Sequence, residues 1–209
     1  MARPLTAAEI RRLAWSLSRE DATALAHDWG LVARPSQRPP AGPWFVWMLR
    51  AGRGFGKTRT GAGWVHARAM AGDGRREMLL VSKTPADARD DMIEGPGGIL
   101  RNTPPSERPR YEPSKRRLVW PTGATARVRS GADPDGIRGF SGDTAWCDEL
   151  AAWRYADESW ATLMLGMREA SVSEPRVLVT TTPKPLALLR RIEAMSGTVV
   201  VTGSTWENR

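Results

Sequence analysis

Residues Trp44–Thr60 read WFVWMLRAGRGFGKTRT, and the reading of this stretch decides the fold. Phe45, Val46, Trp47, Met48 and Leu49 form a continuous apolar run, the pattern of a strand buried on both faces. The turn Gly52-Arg53-Gly54-Phe55-Gly56 follows, and its glycines let successive N–H groups point inward. Lys57 and Thr58 open a helix whose positive N-terminal end faces the same point. Such a loop holds a polyphosphate. Its amides cradle the oxygens, Lys57 reaches the β- and γ-phosphates, and the Thr58 hydroxyl ligates Mg²⁺. One position departs from the G-x-x-x-x-G-K-[ST] pattern: Ala51 stands where its first glycine belongs. A chance Gly-Lys-Thr in an ordinary turn has no reason to sit between a buried strand and a helix.

Upstream, residues 1–30 read as a helical segment. Thr6-Ala7-Ala8-Glu9 is a capping-box pattern, and a second cap at Ser18 to Asp21 precedes an apolar stripe through Ala22, Leu25, Ala26 and Trp29. Leu31 to Pro43 is proline-rich and predicts an extended connection. Residues 31–209 then form the nucleotide domain.

Downstream, Thr58 to Ala71 predicts a helix ended by Gly72-Asp73-Gly74, and Met78 to Ser82 a buried strand. Thr84-Pro85 caps a helix across Ala86 to Ile93. Asn102 to Pro113 reads as loop. Arg116–Trp120 and Ala124–Arg129 flank Pro121-Thr122-Gly123 as a β-hairpin. Its Arg116, Arg117, Arg127 and Arg129 suit either a charged, solvated edge or DNA contact. Ser130 to Gly142 is a polar loop, Asp143 to Cys147 a strand, Trp153 to Ala170 a helix, and Arg176 to Thr180 and Thr198 to Thr202 further strands. Alternating strands and helices argue for an α/β fold, a mostly parallel sheet with helices on both faces.

Asp148-Glu149 ends an apolar strand, which delivers two carboxylates to the sheet edge beside the phosphate loop. Asp148 suits a Mg²⁺ held partly through water, and Glu149 is placed to deprotonate the attacking water. The pair argues for a hydrolase. Thr180, Thr181 and Thr182 end another buried strand, either sensing the γ-phosphate or simply suiting the strand end. Arg53 within the loop, and Arg138 before Glu149, are cations suited to transition-state charge. Arg138 acts either in its own subunit or as a finger in a neighbour's site.

The net charge is +8, from 31 Lys+Arg against 23 Asp+Glu, and suits a polyanionic partner or a solvated arginine-rich surface. One cysteine excludes an internal disulfide, and two isolated histidines, His27 and His66, argue for packing rather than metal binding. Ten tryptophans are expected mostly in the core. No apolar run approaches membrane-spanning length, so a cytoplasmic protein without membrane contact is expected.

Taken together, the chain resembles the ATPase domain of large terminase subunits, the motors that pump double-stranded DNA into viral capsids. It is most similar to the branch of tailed phages and gene transfer agents. The resemblance is carried by R-G-F-G-K-T-R-T-G-A-G-W-V from Arg53, E-G-P-G-G-I-L from Glu94 and R-P-R-Y-E-P-S-K-R-R-L from Arg108. It continues in D-P-D-G-I-R-G from Asp133, A-W-C-D-E-L from Ala145 and V-T-T-T-P-K-P from Val179. It implies a P-loop NTPase of the additional-strand, catalytic-glutamate class, with ATP and Mg²⁺ as ligands. It also implies that Gln37 reads adenine and that Thr180–Thr182 couple hydrolysis to DNA movement. The implied partners are double-stranded DNA, a small terminase subunit and the portal protein. A homo-oligomeric ring is expected when active and a monomer in isolation. The family's C-terminal ribonuclease-H-like nuclease has no counterpart in this sequence, so nuclease activity is not expected. Two other readings are a helicase or translocase of the same ATPase class, and a non-catalytic docking module with a vestigial nucleotide site.

Overall fold

The computed structural model describes residue 12 and residues 15–71, 76–168 and 174–204. The predicted cap at Thr6–Glu9 and the helix stop at Gly72–Gly74 lie outside the described residues. Helices α1 (Arg19–His27) and α2 (Trp29–Val32) come first. The Ser18 hydroxyl accepts the Asp21 N–H at 3.0 Å, the cap read from the sequence. Strand β1 (Val46–Ala51) and helix α3 (Lys57–Met70) flank the glycine-rich turn. Next come β2 (Glu77–Ser82), α4 (Pro85–Asp87) running into a π-helical turn (Ala88–Ile93), and α5 (Ile99–Asn102). Strands β3 (Arg110–Glu112), β4 (Arg117–Val119) and β5 (Thr125–Ser130) lead to α6 (Pro134–Ile137) and β6 (Thr144–Asp148). Helix α7 (Ala156–Arg168), β7 (Arg176–Thr181), α8 (Ala187–Glu193) and β8 (Thr198–Gly203) complete the described chain.

The described strands form one eight-stranded sheet in the order β3-β4-β5-β2-β6-β7-β1-β8. From β5 to β8 every pairing is parallel, and β3 and β4 add an antiparallel edge. The apolar run of β1 divides by the two-residue strand period. Trp47 and Leu49 join Leu80, Trp146 and Leu178 on one face, under Trp64 and Val65 of α3. Val46 and Met48 join Val81, Cys147 and Val179 on the other, under Leu163 of α7 and Ile192 of α8. Continuous hydrophobicity in these strands reflects two covered faces.

Helix α3 approaches the first face closely because Gly61 has no side chain. A Cβ there would lie 2.0 Å from the Trp146 ring. Of the ten tryptophans, Trp44, Trp47, Trp64, Trp120, Trp146, Trp153 and Trp160 are buried, and Trp15 is exposed.

Four expectations are corrected. The Leu31–Pro43 connection is not simply extended, since α2 reaches into it and Pro35–Gln37 form a 3-10 turn. The Asn102–Pro113 loop contains β3, which gains its ladder from β4. The Ser130–Gly142 loop contains α6, capped by the Asp133 side chain on Gly136 N–H. The Ala86–Ile93 helix is π-helical from Ala88 onward.

Candidate nucleotide site

The carboxyl ends of β6, β7 and β1 lie side by side, with Asp148 opposite Thr180 and Arg50 opposite Thr181. Strand β7 therefore sits between the phosphate-loop strand and the Asp148 strand. This is the additional strand of the catalytic-glutamate P-loop class. The loop rises from β1 and closes at Gly56, whose φ of 94° is left-handed and leads straight into α3.

Lys57 is buried, and its Nζ donates to the carbonyls of Ala51 and Gly52 at 3.1 and 3.2 Å. The same Nζ lies 3.2 Å from Glu149 Oε1. Glu149 holds a left-handed backbone, φ 46°, just past the end of β6. Its Oε2 accepts the N–H and the hydroxyl of Thr182, at 3.2 and 3.1 Å. A strained non-glycine conformation at the residue read as the base is kept by tertiary contacts on both carboxylate oxygens.

Asp148 is buried, and its Oδ1 accepts the Thr180 hydroxyl at 2.6 Å. Trp146 Nε1 in turn donates to Thr180 Oγ1 at 2.9 Å. Burial pushes the Asp148 carboxyl up to about 7, against the pull of the Thr180 hydrogen bond. Such a buried carboxylate without an ion-pair partner among the described residues suits a bound cation. Thr181 Oγ1 accepts the Ala151 N–H at 3.3 Å, so the threonine segment is stitched to the chain around Glu149.

Two joined clefts occupy this edge. The first, about 580 Å³, is lined by Gly54, Gly56, Lys57, Thr58, Arg53 and Glu149, with Asp91, Pro96 and Gly97 opposite. The second, about 350 Å³, is lined by Asp148, Glu149, Thr182, Arg53 and Asp91, with Lys83, Asp87 and Lys184 beyond. Phe55 is buried beneath the loop, and Gly52 lies at its base as a carbonyl acceptor for Lys57. The structure thus brings Arg53, Lys57, Thr58, Asp148, Glu149 and Thr182 to one place, with Thr180 and Thr181 buried behind them.

Two sequence candidates sit elsewhere. Gln37 is buried against the back of the loop, with its amide Nε2 donating to the Phe55 carbonyl at 3.3 Å. Its Oε1 accepts the Arg34 N–H at 3.2 Å. Arg138 lines neither cleft. Its side chain is 76% exposed and pairs with Asp135 at 3.2 Å. The basic hairpin is tied internally: Arg117 to Glu112, Arg127 to Glu77, and Arg129 to the Gly136 carbonyl.

Sequence reasoning missed Asp91, Lys83, Asp87 and Lys184. Lys184 carried a signal, a cation between two prolines directly after the threonines. Asp91 carried none, because a π-helical turn places it.

A family model described as terminase large subunit, T4likevirus-type, N-terminal, matches residues 48–192. The chain belongs to this family. No curated protein sequence matches it. This terminase domain is similar in fold to the large terminase ATPase domain of Thermus phage P74-26. The two share 16% identity over 90% of this chain and 88% of that one, with a TM-score of 0.65. It is similar also to the full-length large terminase of another thermophilic bacteriophage, at 13% identity and a TM-score of 0.63. There the match covers 91% of this chain and 46% of that one, so the terminase domain spans about half of that protein. That second phage protein has also been solved with ADP and with ATP-γ-S. The large terminase of bacteriophage HK97 matches 79% of this chain and 38% of its own length, at 17% identity and a TM-score of 0.56.

Proposed function

We propose that this terminase domain binds ATP with Mg²⁺, hydrolyses it, and drives double-stranded DNA into a procapsid. The observation that carries the reading is Glu149, which touches Lys57 of the phosphate loop through one oxygen and Thr182 through the other. Hydrolysis and movement have a shared residue there.

On this reading the loop amides, Lys57 and Arg53 bind the phosphates. Gln37 orders the loop from behind and faces the adenine side. The donor set fits Mg²⁺: Thr58 supplies a hydroxyl and Asp148 a buried carboxylate, and a hard cation takes such oxygens together with phosphate. When bound, the cation neutralises charge that develops on the phosphoryl oxygens. Glu149 takes a proton from the attacking water as the γ-phosphorus–oxygen bond to ADP breaks. The change at Glu149 passes to Thr182 and along the threonine segment to β7. Exposed Arg138 is offered to a neighbouring subunit, which requires a ring on the portal protein loaded by a small terminase subunit. The isolated domain is then a slow, monomeric ATPase, working in the cytoplasm. Residues 31–209 form the ATPase domain and residues 1–30 an appended helical segment.

Calorimetry with ATP-Mg²⁺ and hydrolysis assays with duplex DNA test the proposal. Nucleotide binding with duplex-stimulated hydrolysis supports it. No binding at millimolar ATP leaves a docking module, and strand unwinding in place of duplex stimulation leaves a helicase.

A further inference from the structure

We infer that Lys184 is a phosphate-binding residue and that the second cleft receives the inorganic phosphate leaving the active site. The inference deepens the nucleotide reading given above and rests on it. The two clefts meet at Arg53, Asp91 and Glu149, so an ion released at the phosphate loop has a direct path into the second. Of the cations that border the clefts, three are occupied. Lys57 is bound to two carbonyls and to Glu149, Lys83 pairs with Asp87 at 3.4 Å, and Arg59 lies over the Trp29 ring. Arg53 and Lys184 are exposed at the cleft and have no partner among the described residues.

The chain around Lys184 presents it without regular structure. Pro183 and Pro185 fix their own φ and restrict their neighbours, and a turn bond runs from Leu186 N–H to the Lys184 carbonyl at 2.8 Å. Lys184 is two residues from Thr182, which holds Glu149 by two hydrogen bonds. A phosphate bound by Lys184 therefore pulls on the segment that touches the general base. Asp87, Asp91, Asp148 and Glu149 share the cleft and repel an anion, so occupancy is transient and depends on the free cations.

The balance is that of simple hydrolysis. Water oxygen bonds the γ-phosphorus, the bond to the ADP oxygen breaks, Glu149 takes the water's proton, and hydrogen phosphate departs.

The test is calorimetric titration of inorganic phosphate into the ADP-Mg²⁺ complex of the wild-type chain, Lys184→Ala and Lys184→Arg. Phosphate affinity is expected to fall about tenfold in Lys184→Ala, the loss of one charge-assisted hydrogen bond, and to return in Lys184→Arg. ADP-Mg²⁺ affinity is expected to be the same in all three. Equal phosphate affinity in wild type and Lys184→Ala overturns the inference, as does the absence of phosphate binding to the wild-type ADP complex. Failure of the wild type to bind ADP-Mg²⁺ overturns the nucleotide reading itself.

Discussion

Lys57 and Glu149 form an ion pair across the phosphate cleft, Nζ to Oε1 at 3.2 Å. The lysine is almost wholly buried and the glutamate partly exposed, at 8% and 36% of their side-chain surface. A γ-phosphate entering the loop competes with Glu149 for the same ammonium. Nucleotide binding is thus expected to free one glutamate oxygen for water while Thr182 retains the other. The ion pair is one that the substrate itself dissolves.

Arg138 is displayed to solvent and lines neither cleft, which fits action in a neighbour's site. Arg138→Ala and Glu149→Gln are each expected to lose DNA-stimulated hydrolysis. Mixing the two recovers a fraction of it, because an Arg138→Ala subunit with an intact glutamate receives its neighbour's arginine. A mixture as inactive as its components contradicts the trans arrangement.

Asp148 is costly to bury as an anion, since its carboxyl is raised to about 7 chiefly by desolvation. Asp148→Asn keeps the carbonyl that accepts from Thr180 and removes the charge. The variant is expected to melt at a higher temperature than wild type without nucleotide, and to lose Mg²⁺-dependent ATP binding. A lower melting temperature in the metal-free protein opposes this account of the site.

Gly61 lets α3 approach the sheet, and a methyl group there meets Trp146, which also anchors Thr180. Gly61→Ala is expected to destabilise the fold by about 1–3 kcal/mol, the usual cost of overpacking a core. Urea denaturation measures it, and a neutral substitution shows that the helix shifts freely.

His66 accepts from Trp120 Nε1 at Nδ1 and meets Glu107 at Nε2, 2.9 Å away, which makes it a neutral imidazole with its proton on Nε2. Burial lowers its pKa from the ordinary 6.5, against the opposing pull of Glu107. Below that ordinary value the unfolded chain takes up a proton that the folded one refuses. The contribution is therefore present above pH 6.5 and lost as the pH falls below it. Urea midpoints at about pH 7.5 and about pH 5.5, on either side of that value, should separate more for wild type than for His66→Gln, and equal separation refutes the assignment.

The central strands and both acidic residues were legible in the sequence because burial on two faces writes an unbroken apolar run. The loop was legible because phosphate binding needs glycines and a Lys-Thr pair at one spacing. Strand β3 was not, since Arg110, Tyr111 and Glu112 are charged or half-exposed and pair only because β4 is adjacent. Helix α8 was overlooked behind the prolines that precede it. Asp91 reaches the clefts through a π-helical turn, a departure from the regular period that no pattern in the residues announces. Arg138 was legible as a candidate, but its exposure, which turns it outward, depends on α6 and could not be read.

The central claim is that Glu149 activates water while the phosphate loop binds ATP. Single-turnover phosphate release by wild type and Glu149→Gln, with ATP-Mg²⁺ affinity measured on the same samples, tests it most directly. The account predicts that Glu149→Gln binds ATP at least as tightly as wild type, because Lys57 is released. It predicts phosphate release slowed by about 10²–10⁴-fold, the range for loss of a general base. Unchanged phosphate release in Glu149→Gln contradicts the account.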